Sequence, residues 1–298
     1  MRLLMYESGG QSVPGLLLGR QVVDLSTLAQ SHGERPVPDL LSLIAHGDEA
    51  LRRVRSWVEV AGVELPQQPL EDVALRAPLD PPRGNVLAIG HNYGAHAEEL
   101  ARARGVAEIP PTVFTKAQTT IAGPYDDIPL DPAVTTMLDW EVELGVIIGT
   151  TGINIPRERA LDFVFGYTVV NDITARDLQY GWGGQFFKGK SLDGSCPSGP
   201  VIVTRDEVPD PHNLSLSLTV NGAIKQKGHT GTMIHRIDEL IAMLSLGMTL
   251  LPGMMIATGT PPGVGYARTP KEFLQPGDVV ESEVEGIGTI RNTVVRVN

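Results

Sequence analysis

The sequence is poor in the features that mark several protein classes. Among 298 residues it has one cysteine, Cys196. That excludes an intramolecular disulfide framework and a thiolate zinc cluster. No uninterrupted apolar run approaches about 18 residues, so no membrane span is expected. The opening Met1-Arg2-Leu3-Leu4-Met5-Tyr6 is too short in its apolar part for a signal peptide. Basic charge is scarce: 24 Lys and Arg stand against 35 Asp and Glu, a formal charge of −11. Nucleic acid is therefore not expected as a partner, because phosphate neutralisation needs clustered lysine and arginine. Repeats and charge blocks are also missing. The expectation is a soluble protein of a reducing compartment, hence cytoplasmic.

What the chain does have is apolar residues and turn formers. The hydrophobic fraction is 42%, with 33 glycines and 23 prolines, a surplus of turn formers over average usage but short of low complexity. With many β-branched residues, this favours a strand-rich α+β fold. Residues 1–80 read as a small N-terminal unit, with short strands over 3–6, 15–18 and 21–25 and a helix over 40–58. A proline-rich linker over 77–84 separates it from a second unit over 84–298. There, 142–148 and 163–171 read as strands and 92–103 as a helix. Leu214, Leu216, Leu218 and Val220 alternate with polar residues, and Asn221-Gly222 supplies a hairpin turn. Ile234, Ile237, Leu240, Ile241 and Leu244 recur at helical spacing. The pattern is one or two helices against many strands.

The sharpest local feature is Asp139-Trp140-Glu141-Val142-Glu143-Leu144. Glu141 and Glu143 are two apart on a strand, so both point to one face. Carboxylates side by side repel unless solvated, protonated or bridged by a cation. A solvent-facing strand would explain the pattern equally well. A second segment, Phe165 to Asn171, is an apolar strand ending in the acid Asp172. Asp172 reads either as a cap or as the third member of a carboxylate site. Oxygen donors without cysteine suit Mg²⁺, Mn²⁺ or Ca²⁺ rather than zinc.

Residues 184–191, Gly-Gln-Phe-Phe-Lys-Gly-Lys-Ser, satisfy the phosphate-loop pattern. That loop requires a buried strand before it and a helix after it. The flanking residues supply neither, so nucleotide binding through 184–191 is the weaker alternative.

Six segments in order resemble the fumarylacetoacetate hydrolase (FAH) superfamily: Gly90-His91-Asn92-Tyr93 through Glu99, Asp139 to Leu144, Val170 to Gln179, Lys188 to Asp193, Thr258 to Gly265, and Gly286 to Asn292. The resemblance runs from about residue 84 to the end. It implies a mixed β-sandwich roll with a small N-terminal domain, forming a homodimer. It further implies that Glu141, Glu143 and Asp172 bind one Mg²⁺ or Mn²⁺ per subunit. His96 and Glu99 would form a catalytic dyad on a short lid helix, with Lys190 also catalytic. Gln179, Thr260, His91 and Tyr93 would meet the substrate. The spacing agrees, since residues three apart on a helix share a face, and a carboxylate beside an imidazole orients it for proton transfer. Lys190 reads as a loop residue and Cys196 as a small residue in a turn.

The implied activity is metal-dependent hydrolysis of a carbon–carbon bond in an acylpyruvate-type 2-oxo acid. Dyad-activated water would attack, and an enolate would be stabilised. The same site would also serve oxaloacetate-type decarboxylation, hydroxymuconate-type isomerisation or dehydrated deoxy sugar acid hydrolysis, because a fold does not choose a reaction.

Overall fold

A computed structural model describes residues 1–61, 67–104, 106 and 112–297. In chain order its N-terminal part holds β1 (Arg2–Ser8), β2 (Gln11–Leu18), β3 (Gln21–Asp24), α1 (Leu25–Ser31), α2 (Leu40–Ala45), α3 (Gly47–Ala61), β4 (Gln67–Pro69) and β5 (Leu75–Arg76). Then come β6 (Val86–Gly90), α4 (Gly94–Arg104), β7 (Thr112–Lys116), β8 (Ile121–Ala122), β9 (Ile128–Leu130), β10 (Leu138–Asp139) and β11 (Val142–Ile148). Next are β12 (Val164–Asn171), β13 (Thr174–Ala175), α5 (Arg176–Gly181), α6 (Phe187–Lys190) and β14 (Cys196–Thr204). The chain finishes with β15 (Ser215–Val220), β16 (Ala223–His229), α7 (Ile237–Ser245), β17 (Met255–Ala257), β18 (Val279–Val284) and β19 (Gly288–Arg296).

The large sheet runs in the order β4-β3-β2-β1-β14-β12-β11-β17-β6-β7, with β5 attached to β1 and β8 to β14. A five-stranded sheet, β16-β15-β18-β19-β9, packs against it. The architecture is thus α+β and strand-rich, as the composition suggested. The large sheet crosses the linker, because Arg2 and Leu3 of β1 pair antiparallel with Val203 and Ile202 of β14. Central strands are covered on both faces. Leu144, Val146, Tyr167 and Val169 face Leu218, Val280 and Ile290 of the second sheet. On the other face Ile147, Phe165, Val170 and Ile202 share a core with Leu28, Ile44, Val54 and Trp57 from α1, α2 and α3. Alternation on β11 puts Glu143 on the face that Ile147 occupies further along. That face is not open to solvent: Glu143 is 1% exposed.

Several local expectations need revision. The helix over 40–58 is two helices, with the break at Gly47, whose φ is 56°. Helix α1 carried no recognised signal, although Asp24 caps it through Thr27 N–H at 2.6 Å. In the second unit α4, α5, α6 and α7 are four helices where one or two were expected. Ile234 lies outside α7, and Asn92 lies outside α4 because its side chain is used elsewhere. Its amide donates to the carbonyls of His235 (3.0 Å) and Thr258 (2.8 Å). Cys196 opens β14 and is fully buried, rather than sitting in a turn. The hairpin at Asn221-Gly222 forms as expected, joining β15 to β16 with φ of 52° and 76°.

Lys190 is likewise not in a loop; it ends α6, which is wedged against α5 and β13. The wedge depends on Gly189. A Cβ there would lie 2.3 Å from Gln179 N and 2.6 Å from Ala175 O, both backbone atoms. Gly189→Ala is therefore expected to force α6 outward and cost about 1–3 kcal/mol of stability. Urea denaturation checks this, and an unchanged midpoint would show that the two short helices separate freely.

Candidate metal and proton-transfer site

Strand register builds the acidic centre. Strands β11 and β12 pair antiparallel with Val142 opposite Asn171. Glu141 and Asp172, the residues just beyond that pair, therefore emerge side by side, and Asp172 N–H donates to Glu141 O at 2.8 Å. Glu143 follows on the same face of β11 as Glu141. One carboxylate oxygen from each of the three lies within 4.8 Å of the others, and all three side chains are buried. The structure thus brings together the three acids that the sequence singled out.

Three buried cations surround them. Lys190 Nζ bridges Glu141 Oε2 and Asp172 Oδ2, at 2.7 Å each. Lys116 Nζ, at the end of β7, lies 2.9 Å from Asp172 Oδ1 and donates to Ile173 O at 3.1 Å. Arg176, at the start of α5, reaches Glu141 Oε1 (2.6 Å) and Asp139 Oδ2 (2.8 Å). Asp139 in turn accepts from the N–H groups of Gly265 and Tyr266. Burial alone would raise the Glu141 pKa, but the charges of Lys190 and Arg176 outweigh it and hold the carboxyl at about 2.

Glu143 is the exception. Among the described residues its carboxylate accepts one hydrogen bond, from the Gly259 N–H, 2.7 Å from Oε2. Among the described residues it has no cationic partner within salt-bridge distance. Burial, then the neighbouring charges of Asp172 and Glu141, push its pKa well above the carboxylate range. The Gly259 contact requires a glycine. Its φ is +103°, and a Cβ would lie 2.7 Å from Asn92 Cβ. A buried, all-oxygen donor set with one uncompensated acid fits a hard divalent cation.

His96 and Glu99 face the acids from α4. His96 Nδ1 is 2.8 Å from Glu99 Oε1, and Glu99 is held by the Gly263 N–H at 3.0 Å from each of its oxygens. With Nδ1 bound to a carboxylate, Nε2 is the nitrogen left for substrate. His96, Glu141, Glu143, Lys190, Gln179, Thr260 and His91 line one small cavity. Thr260 is fixed between Val142 O (2.9 Å) and Gln226 Nε2 (2.8 Å). Gln179 accepts from Arg176 Nη1 at 3.0 Å. His91 has a φ of 62°, and its ring stacks on His96 with centroids 6.3 Å apart. Tyr93 is placed differently: its ring belongs to the hydrophobic core and it is not among the cavity's lining residues.

Sequence reasoning passed over Lys116, Arg176, Asp139, Phe114 and Phe186. Phe114 and Lys116 are two apart on β7, a spacing that puts both on one face. Phe114 stacks under Lys190 Nζ at 5.0 Å from the ring centroid. Asp139 and Arg176 stood inside the recognised motifs without a role. The phosphate-loop pattern has no phosphate-loop setting: α5 precedes it, and α6 is only four residues long. Among the described residues no helix is long and apolar enough to cross a membrane.

A family model described as "Fumarylacetoacetate (FAA) hydrolase C-terminal" matches residues 85–295. An oxaloacetate tautomerase, YisK of Bacillus subtilis, is 44% identical over 260 residues, covering 86% of each chain. The fumarylacetoacetate hydrolase structure from Exiguobacterium antarcticum is 38% identical with a TM-score of 0.85, covering 100% of both chains. Maleylpyruvate hydrolase from Sphingobium sp. SYK-6, in complex with manganese(II) and pyruvate, is 31% identical with a TM-score of 0.79, again over 100% of both. From its motifs, its fold and these likenesses together, the chain belongs to the fumarylacetoacetate hydrolase family of enzymes.

Proposed function

We propose that the protein is a divalent-metal enzyme that moves a proton on a 2-oxo acid through its enolate, with keto–enol tautomerisation as its reaction. The observation that carries this is the placement of His96, paired with Glu99, and of Glu141 and Glu143 on one small cavity, with Asp172 clustered beside the two glutamates. Glu141, Glu143 and Asp172 would hold Mg²⁺ or Mn²⁺. A cation there supplies positive charge to the oxygens of a 2-oxo acid as one of them gains enolate character. The remaining work falls to the chain itself. His96 Nε2 takes the proton from the carbon next to the oxo group and returns it to oxygen. Glu99 fixes the imidazole's tautomer and steadies the charge it acquires. Lys190, held between Glu141 and Asp172, adds fixed positive charge beside the developing enolate. Phe114, Phe186 and Leu100 limit water. The 44% identity with an oxaloacetate tautomerase supports this reaction class.

A second reading is hydrolysis of a carbon–carbon bond in an acylpyruvate, the activity implied by the motifs. The likeness to a maleylpyruvate hydrolase with bound manganese(II) and pyruvate favours it. There His96 would take its proton from water. The division into units over 1–80 and 84–298 and the homodimer belong to the same family reading, and sedimentation of the full chain checks the dimer.

Three outcomes test the site. Loss of the enol's ultraviolet absorbance, followed with oxaloacetate and Mn²⁺, should slow by about 10²–10⁴-fold in His96→Asn. Turnover at the wild-type rate would remove His96 from the reaction, and cleavage products from an acylpyruvate in NMR spectra would favour hydrolysis. Glu143→Gln should weaken Mn²⁺ binding in calorimetry by at least tenfold; undiminished binding would overturn the ligand assignment.

The third outcome concerns pH in the metal-free protein. The folded state raises the Glu143 pKa above its unfolded value, so it binds more protons than the unfolded chain. Its contribution to stability is then lost as pH rises above about 4.5 towards the raised value. Thermal midpoints of the chelated wild type should fall over that window relative to Glu143→Gln. Parallel curves for the two proteins would refute it.

A further inference from the structure

The cavity that holds His96 shares two lining residues, His91 and Phe186, with a second and more open hollow. These two side chains therefore stand between the reacting space and the outside. Phe186 has no proton to exchange. His91 does, and an imidazole is the side chain whose ordinary pKa lets it gain and lose a proton near neutral pH. The outer hollow is otherwise lined by Arg104, Tyr180 and Tyr266 among its titratable residues. Arginine and tyrosine side chains as a class hold their protons at neutral pH. His91 is thus the side chain common to both spaces that can hand a proton from one to the other.

The backbone is arranged to keep it there. The φ of His91 is 62°, in the left-handed region, where a side chain carries strain that glycine would avoid. The residue after it is pinned by distant segments. Asn92 O accepts from Ile234 N–H at 2.7 Å, and Asn92 Oδ1 accepts from His235 N–H at 2.8 Å. The Asn92 amide donates in turn to His235 O and Thr258 O. A strained turn persists when its surroundings over-determine it, and such turns gather at functional sites. The His91 ring is buried, meets the edge of Phe186 with centroids 6.1 Å apart, and lies 26° from the plane of the His96 ring. At the 6.3 Å between the two imidazole centroids, a proton passes through one intervening oxygen, of water or of substrate, rather than from ring to ring.

His96 needs such an outlet. Its Nδ1 is committed to Glu99, so Nε2 alone exchanges protons. We infer that His91 is the proton carrier of this site, passing protons between His96 and solvent that enters the outer hollow. When the substrate's carbon–hydrogen bond breaks, His96 Nε2 holds the proton as imidazolium. His91 accepts that proton at a ring nitrogen, which returns His96 to neutral, and then releases a proton to water. The opposite direction reverses these steps. Nothing is oxidised or reduced, and both imidazoles end neutral. The proton returned to substrate oxygen is then one that has exchanged with solvent. This inference rests on the reading of His96 as the proton-transfer base.

Chemical rescue of the Mn²⁺-loaded full chain tests it, with loss of enol absorbance from oxaloacetate as the assay and the enzyme-free rate subtracted at each additive concentration. The additives are imidazole and pyrazole, which share a shape, although pyrazole is not a base near neutral pH. His91→Ala and His91→Phe are each expected to lose about 10²-fold in kcat. Imidazole should restore His91→Ala several-fold, rising to a plateau, and pyrazole should not. His91→Phe fills the same space with a ring that carries no proton, so neither additive should restore it. Wild-type kcat in both variants would overturn the inference. Equal recovery with pyrazole would also overturn it, because the ring would then only fill space, and so would no recovery with imidazole. His96→Asn separates the two readings: wild-type turnover there removes the base itself, whereas its inactivity with and without imidazole leaves the base in place and the carrier alone under test.

Discussion

The pairing of Val142 with Asn171 across β11 and β12 is the constraint on which the site depends. It sets Glu141 and Asp172 at the same level of the sheet, and alternation on β11 then adds Glu143. A slip of one residue would turn Glu143 to the opposite face and Leu144 into its place. The register is held from both sides, because β17 pairs with β11 and β14 with β12. Both faces of this centre are covered by separate apolar cores. The acids are therefore set by strands β11 and β12, which are buried along their whole length.

Enclosure has an electrostatic consequence. Removing charged groups from water is expensive, and ion pairs among them only partly offset the cost. Lys116, Lys190 and Arg176 counter Asp139, Glu141 and Asp172, and Glu143 is left over. An apolar core of equal volume would serve stability as well or better. The retained imbalance makes sense for a site that accepts a further positive charge. Glu141, held ionised, and Glu143, pushed towards its protonated form, show how two acids two residues apart acquire opposite tendencies from their neighbours alone.

The proton-transfer pair comes from a different part of the chain and is tied down separately. Leu100 and Ala101 of α4 pack on Val264 in a small apolar cluster of their own. Glu99 is fixed by Gly263 N–H in the same turn. The glycine- and proline-rich segment around Gly259-Thr260-Pro261-Pro262-Gly263 thus serves three masters at once: Gly259 holds Glu143, Thr260 lines the cavity and Gly263 holds Glu99. The surplus of turn formers in the composition is in part this segment.

The sequence by itself determined the local pieces. Period-two alternation marked β11 and β15, Asn221-Gly222 marked a hairpin, and the order of motifs pointed to Glu141, Glu143, Asp172, His96, Glu99 and Lys190. These are legible because strand and helix periods are short and act within a few residues. Tertiary structure alone decided what surrounds them. Glu141 and Glu143 read equally well as a solvent-facing pair until two cores covered their strand. Lys116 reaches Asp172 across 56 residues, and Gly259 reaches Glu143 across 116. The split of the helix at Gly47, the position of Lys190 on α6 and the burial of Tyr93 depend on packing partners far away in sequence. Local pattern carries propensity and face. Which charges are brought together, and how dry they are kept, is set by contacts that no window of sequence contains.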